Sequence, residues 1–395
     1  MKTRILIDGF CLIPENGSGI AHFTAGLLRA LHKSDATHEY QIEVLLPLNS
    51  RNALRRHGIG DFPVRRIWLP GKIVQILSKF NLFIFPDLFL GKGIYVFPNY
   101  RNWKLARSKS LTFILDLGYM KYPETLAPRN LRYLQKNMTT WAGRADRLIT
   151  ISEFVKKEML EDLNIREDKI SIVNCGVDGN VFRKLNKEEV NKTINKYGVT
   201  YEGYIIYVGN LEPRKNLLAL LEAYESMVTN NNLGLHLLLV GGDGWRNAEL
   251  IEKINELSAK GLKIIRPKER VSDQELPYLI SGARLLTHPA LYEGFGLPPL
   301  QAMACETLVV CADNSSLPEV CGKGAIYVNA TSTRSIEKGL LQAASIDKSD
   351  KERHIMEGKK QAGRYSWDNS AKQMIQAIDE ISKPQEPINN DRIER

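Results

Sequence analysis

Cysteine is scarce in this chain of 395 residues: there are five, at positions 11, 175, 305, 311 and 321, and none forms a C-x-x-C pair. That excludes a disulfide framework and argues against a structural zinc site, leaving small apolar thiols in a reducing compartment. No run of about 18 uncharged apolar residues occurs, so no transmembrane helix is expected. The opening stretch, "MKTRILIDGF", lacks the long apolar core and small-residue cleavage site of a signal peptide. A cytoplasmic location follows as an expectation. No Asp-x-Asp pair offers itself to a divalent ion, so no metal site is expected. Zinc-finger, helix-turn-helix and aromatic-strand motifs are absent, which argues against nucleic acid as a partner. There is no short-period repeat.

What is present is ordinary in amount and uneven in placement. Hydrophobic residues make up 43% and charged residues 25%, a soluble globular balance. The length suits two domains of about 150 to 200 residues. The net charge of +9 is carried entirely by residues 1–109, which hold 16 Lys and Arg against 7 Asp and Glu. The rest holds 38 of each and cancels. A basic first third suits an anionic partner such as a membrane face, or is a solvated surface with no partner. The apolar-rich segment 73–90 lies between the basic stretches "RNALRRHG" and "RNWKLARSK". It reads first as core helix and strand, and second as a surface that touches lipid.

Strand, glycine-rich loop and helix follow one another at the start: "RILIDGF", "NGSG", "IAHFTAGLLRALHKS". This is the opening of a parallel α/β unit. Further strands are expected at 40–47, 93–98, 110–117, 146–152 and 170–178, with a helix over 128–145. A second series starts at "YIIYVGNLE" and continues through 235–244, 262–267, 283–291, 307–313 and 325–329. The polar stretch 180–200 is the expected boundary, and the tail 383–395 is expected to be disordered. Two such domains in tandem place a ligand in the cleft between them, at the carboxyl ends of the strands.

The polar motifs fall at those ends. "VGNLEPRKN" puts Arg214 and Lys215 near a helix N-terminus, where an anion is favoured; a solvated pair is the plain alternative. "VGGDGW" brings Gly241 and Gly242 to the end of a strand, as a close approach to a ligand or as a tight turn. "HPALYEGFGLPPLQAM" is far more specific. Gly294 and Gly296 permit a sharp turn, Pro298 suits a first helical turn, and the N–H groups of 294–297 would face a ligand. Glu293 stands at the entrance of that turn and Gln301 lies deeper in the helix.

The stretches "YVGNLEPRKN", "LVGGDGW", "LYEGFGLPPLQAMA", "SSLPEVCG" and "YSWDNSA" resemble the retaining glycosyltransferase family 4 pattern, most of all its bacterial mannosyltransferase-type members. "GSGIAHFTAGLL", "YVFPNY" and "LDLGYMKYPE" extend the resemblance more weakly into the first half. It implies the GT-B fold, two Rossmann-like parallel α/β domains facing across a cleft. Residues 1–180 would form the acceptor side and 181–382 the nucleotide-sugar side, with a final helix at about 366–382 as a candidate to cross back. It also implies roles. Glu293 would contact the donor sugar, and Gln301, where the family has a second glutamate, would hold the ribose. Lys215 and Arg214 would hold the diphosphate, faced by Gly17 and Gly19 from the first domain. Asp116 would act near the reaction centre, and Asn210, Phe295 and Leu297 would complete the donor site with Gly241, Gly242, Gly294 and Gly296.

Three positions depart from the pattern. Gln301 replaces a carboxylate with an amide, which still bonds a hydroxyl at a loss of about 1 kcal/mol. Leu115 stands where many relatives carry a histidine before Asp116, and its side chain cannot hydrogen-bond: either other residues such as His22 or the loop after Asp116 replace it, or the donor sugar differs, or the activity is reduced. Glu306 stands where a glycine is common. The implied reaction is metal-independent transfer of a hexosyl unit, mannose favoured and GDP-mannose the favoured donor, to a lipid-linked or growing surface-polysaccharide acceptor such as O-antigen or capsule. In retaining members the departing phosphate takes the acceptor proton, so no cofactor and no enzyme nucleophile are expected. The protein would then be peripheral on the anionic inner membrane face. The alternative is a catalytically weak GT-B shell that assists another transferase.

Overall fold

The computed structural model describes residues 2–14, 18–34, 36–48, 50 and 52–382; Gly17 and the tail 383–395 lie outside them. Thirteen strands are described, in two sheets that follow one another along the chain. The first contains β1 (Thr3–Asp8), β2 (Tyr40–Pro47), β3 (Val64–Ile67), β4 (Ile94–Phe97), β5 (Lys109–Phe113), β6 (Arg147–Thr150) and β7 (Ile170–Ile172), in the order β3-β2-β1-β4-β5-β6-β7. The second contains β8 (Tyr204–Val208), β9 (His236–Val240), β10 (Ile264–Ile265), β11 (Leu285–His288), β12 (Leu308–Ala312) and β13 (Ala325–Val328), in the order β10-β9-β8-β11-β12-β13. Every pairing in both is parallel. Buried on both faces, the central strands are continuous apolar runs such as Ile205, Ile206 and Tyr207, all fully inaccessible. In each sheet the order reverses beside the first strand, so a crevice opens at the carboxyl ends of β1 and β4, and of β8 and β11.

One strand was not expected. β3 is an edge strand, and its residues Val64–Ile67 include two adjacent arginines. The side chains of Arg65 and Arg66 donate to the carbonyls of Leu90 and Pro47, at 3.1 and 3.2 Å. The polar stretch 180–200 is more than a linker. It contains the helix Lys187–Ile194, N-capped by Asn186, with Val190 and Ile194 fully buried in the second unit.

The last helix, Trp367–Ser382, returns to the first sheet's unit and packs on its first helix, Gly19–Lys33. Gly26 makes room for it: a Cβ there would lie 2.4 Å from the Trp367 ring. Trp367 also tilts against Phe23, with ring centroids 6.0 Å apart. Arg147 pairs with Glu380 at 2.9 Å, and the Lys109 ammonium donates to the Ile381 carbonyl at 2.7 Å. The chain therefore crosses between the units twice, near 173–186 and near 364–366, and the two crossings touch through the Val177 N–H and the Tyr365 carbonyl at 2.9 Å.

Candidate active site

The sequence-predicted residues converge where β8 and β11 end. After β8 the chain makes a 3-10 turn, Pro213–Lys215, and Asn216 then adopts a left-handed conformation (φ +61°) to open the helix Leu217–Asn231. The Asn216 amide donates to the carbonyls of Pro289 and Ala330, at 3.1 and 2.7 Å, and so fixes this turn to the loops after β11 and β13. Arg214 is held from two sides: its guanidinium donates to the Tyr292 carbonyl at 3.0 Å and to Glu212 at 3.2 Å. It also lies 3.7 Å from the Glu293 carboxylate and 3.9 Å from that of Asp116.

Glu293 is the centre of the cluster. Its Oε1 accepts from the Lys215 ammonium and lies 2.6 Å from Nε2 of His288, the last residue of β11. Burial works to raise its pKa, but Lys215, the His288 hydrogen bond and Arg214 outweigh it and hold the carboxyl well below the usual range. Burial pushes His288 the other way, below its ordinary value, despite the neighbouring carboxylate. A neutral imidazole with the proton on Nε2 donates to Glu293 and leaves Nδ1 as a buried acceptor without a partner. The ring stacks on Tyr207 at 6.0 Å. Sequence reasoning passed over His288, although its place at the carboxyl end of a strand, five residues before Glu293, was a readable signal.

The turn after Glu293 is shaped by its glycines. A Cβ on Gly294 would meet the Leu115 carbonyl at 2.3 Å, so the turn lies directly on the first unit's Leu115–Asp116 segment. Gly296 has φ +100°, and a Cβ there would also meet Leu317 at 2.6 Å. The helix Leu297–Ala304 starts next, with proline in its first turn and no side-chain cap. Among the described residues, the N–H groups of 294–297 find no acceptor. Ser315 and Ser316 fix Glu293 from behind: its N–H donates to Ser315 Oγ at 3.0 Å and its carbonyl accepts from Ser316 Oγ at 2.9 Å. The result is a patch of free backbone donors and two cations beside one buried carboxylate, suited to a ligand with a dense anionic group and hydroxyls.

Other expected residues take varied positions. The Gln301 side chain is half-buried, with no hydrogen-bond partner among the described residues. Phe295 turns its ring into the core, edge-on to Tyr365 at 5.3 Å. Gly241 answers to the fold itself, since a Cβ there would fall 1.9 Å from the Gly209 carbonyl. Asn210 and Gly242 are exposed, and Leu297 is half-buried. Gly19 opens the helix Gly19–Lys33, which Ser18 caps by accepting the Ala21 N–H at 3.2 Å. Leu115 is buried in the core, and Asp116 accepts the Gly118 N–H at 3.1 Å. His22 lies 3.9 Å from Asp273 of the second unit. Glu306 adopts φ +57°, the conformation that explains why glycine suits this place, and bonds Lys359 at 2.8 Å.

The two units touch along the groove. The Tyr292 hydroxyl donates to Glu158 at 2.5 Å and accepts the Leu117 N–H at 3.0 Å. Ser152 Oγ donates to the Gly294 carbonyl at 2.8 Å. Glu319 reaches across to accept the N–H groups of Glu153 and Phe154, both at 2.9 Å, and so caps the helix Glu153–Leu163. Among the described residues, no group of three or more His, Cys, Asp or Glu is placed to hold a metal ion.

Comparison with known proteins decides what this site belongs to. The family description "Glycosyltransferase Family 4" matches residues 17–180, and "Glycosyl transferases group 1" matches residues 189–362. The chain is 32% identical over 285 residues to the O-antigen chain mannosyltransferase B of Escherichia coli, covering 72% of this chain and 73% of that protein. The chain belongs to the group 1, family 4 glycosyltransferases. The O-antigen chain mannosyltransferase RfbU of Salmonella typhimurium is 27% identical over 272 residues, covering 69% of each chain. These relatives do not favour the reading of a non-enzymatic shell. The glycosyltransferase shares its GT-B fold with solved structures at low identity. Sucrose-phosphate synthase from Thermosynechococcus elongatus has a TM-score of 0.73 at 17% identity, over 96% of this chain and 99% of its own. Anabaena HepE, solved with UDP and glucose, has a TM-score of 0.71 at 16% identity, over 96% and 100%.

Proposed function

We propose that this glycosyltransferase moves a mannosyl unit, with retention and without a metal, from GDP-mannose to a lipid-linked or growing O-antigen glycan. The carrying observation is the convergence of Lys215, Arg214 and the free N–H groups of 294–297 around Glu293. The relatives' names support mannose and O-antigen. The excess of 16 basic over 7 acidic residues in 1–109 supports an anionic inner-membrane face as the place of work.

In this reading the donor diphosphate replaces Glu293 as the partner of Lys215 and lies against Arg214 and the turn. Glu293, its Oε1 still held by His288, offers Oε2 to a sugar hydroxyl. Gln301 bonds the ribose, and Gly19 faces the diphosphate from the first unit. The bond from the sugar's anomeric carbon to the diphosphate oxygen breaks as the acceptor oxygen attacks the same face. The acceptor proton passes to the departing phosphate oxygen. Catalysis rests on cationic groups placed where the leaving charge develops, and the bridged groove excludes water that would hydrolyse the donor.

The purified protein should release nucleoside diphosphate from GDP-mannose, and faster with acceptor, in a panel of common nucleotide sugars. Preference for another sugar would overturn the mannose assignment. Chelator should leave turnover unchanged; loss with EDTA and recovery with Mg²⁺ would overturn the metal-free mechanism. Gln301→Glu should change donor KM a few-fold and kcat little, because ribose contacts persist from ground state to transition state. A collapse of kcat in this variant, with acceptor saturating, would move Gln301 to the sugar end.

A further inference from the structure

Among the described residues twelve large hydrophobic side chains are exposed, and eight of them fall between positions 68 and 89. The segment expected first as core helix and strand is therefore largely a surface. The helix Gly71–Lys79 buries Val74 and Ser78, whose hydroxyl accepts from the Trp103 indole at 3.0 Å. Its outward stripe is Ile73, Ile76 and the following Phe80, 44%, 57% and 59% exposed. At 100° per residue these three fall within about 60° of one another. Lys72 and Lys79 border the stripe on one side, and the Lys79 ammonium sits 5.7 Å from the Phe80 ring. The chain then exposes Leu82, Ile84, Leu88 and Phe89, while Phe83 and Leu90 anchor it in the core. Trp68, 80% exposed, follows the carboxyl end of β3, the end of the sheet on which the groove opens.

The charge around this patch is of one sign. Residues 64–109 hold nine Lys and Arg and a single acid, Asp87. Asp87 is buried and turned inward, accepting the N–H groups of Ala106 and Arg107 at 2.9 and 2.7 Å. Lys104 is exposed, its ammonium 5.3 Å from the Phe85 ring, and Arg107 is exposed beyond it. An exposed apolar segment bordered by cations does not suit a second copy of itself, whose like charges would meet. It suits the headgroup and upper acyl region of an anionic bilayer, with the apolar side chains inserted and the lysines at the phosphates.

We infer that the surface formed by Trp68, Ile76, Phe80, Leu82, Leu88 and Phe89, with Lys72, Lys79 and Lys104 around it, is the face by which this protein docks on an anionic lipid bilayer. The inference rests on the transferase reading only for the reason to dock, a lipid-linked acceptor. It puts the carboxyl ends of the first sheet's edge strands nearest the lipid.

Cosedimentation of the full chain with vesicles tests it. The protein should bind phosphatidylcholine vesicles containing 30% phosphatidylglycerol, bind pure phosphatidylcholine at least about tenfold less, and release at high salt, since surface attraction is screened within about 8 Å at physiological ionic strength. Ile76→Ser with Phe80→Ser, and separately Lys72→Glu with Lys79→Glu, should each cut partition at least about tenfold. Nucleoside diphosphate release in lipid-free solution should remain within about twofold of the parent, which also shows that the variants fold. Anionic vesicles should shift tryptophan emission to the blue, and Trp68→Phe should remove most of that shift. Unaltered binding in both double variants, or binding indifferent to lipid charge and salt, would overturn the surface while leaving the transferase reading intact. A lipid-free dimer of the parent, seen by sedimentation velocity and dissolved by the apolar double variant, would assign the patch to a second copy. Docking by a protein that turns over no nucleotide sugar would leave the surface standing and overturn the transferase reading.

Discussion

Lys215→Ala is expected to lower kcat about 100-fold or more. Lys215 is confined, its side chain only 13% exposed and its ammonium fixed on Glu293 beside Arg214. In the proposed reaction, a diphosphate at that ammonium would gain charge at the leaving oxygen as the glycosidic bond breaks. The cation would then stabilise the transition state more than the bound donor, and losing it would cost about 3 kcal/mol of barrier. The Asn216 amide, bonded to Pro289 and Ala330, should keep the turn in place without the lysine. The defect should accordingly lie in turnover and not in folding, with the melting temperature as control. Lys215→Arg should recover part of the rate by restoring charge in a different shape. Near-normal turnover in Lys215→Ala would remove this residue from the site.

Glu293→Gln should lower kcat by a comparable factor, about 100-fold, while donor KM changes less. The amide keeps the size of the side chain but leaves Lys215 and Arg214 without their shared anion and gives His288 a different partner. Stability should fall as well, with a defined dependence on pH. The folded-state pKa of Glu293 lies well below its ordinary value of 4.5. Its contribution is thus fully present above that value and is lost as pH falls through the depressed folded value. The gap in melting temperature between the parent and Glu293→Gln should be constant from neutral pH to about 5 and close only in strong acid. A gap that closed between pH 7 and 5 would mean that Glu293 titrates normally. A KM defect alone would exchange its role with that of Gln301.

The second sheet was legible strand by strand, because each of its strands is an apolar run closed by a glycine or a polar turn. In the first sheet β3 escaped notice: an edge strand needs few apolar residues, and Arg65 and Arg66 mask its four. Segment 73–90 misled for the opposite reason. Its apolar content fits a core helix, and only the three-dimensional arrangement shows that Val74 and Ser78 face inward while Ile76 and Phe80 do not. The cluster at Glu293 was found because its members follow strands. His288 was not, because a histidine inside an apolar run is ordinary until its carboxylate partner is seen 2.6 Å away. Leu115 looked like a lost ligand contact. The structure shows it buried in the core, with its carbonyl against Gly294.

The return of the last helix to the first helix has a consequence for biosynthesis. During translation Phe23 and the groove at Gly26 emerge early, yet the Trp367 ring that covers them is made more than three hundred residues later. At 5–20 residues per second that delay is roughly 20 to 70 s. The second unit is contiguous from the helix at 187 through 362 and has all its own strands before then. It can mature on the ribosome while the first waits, an apolar seam open to chaperones and to neighbouring nascent chains, so that the unit synthesised first is the last to be completed.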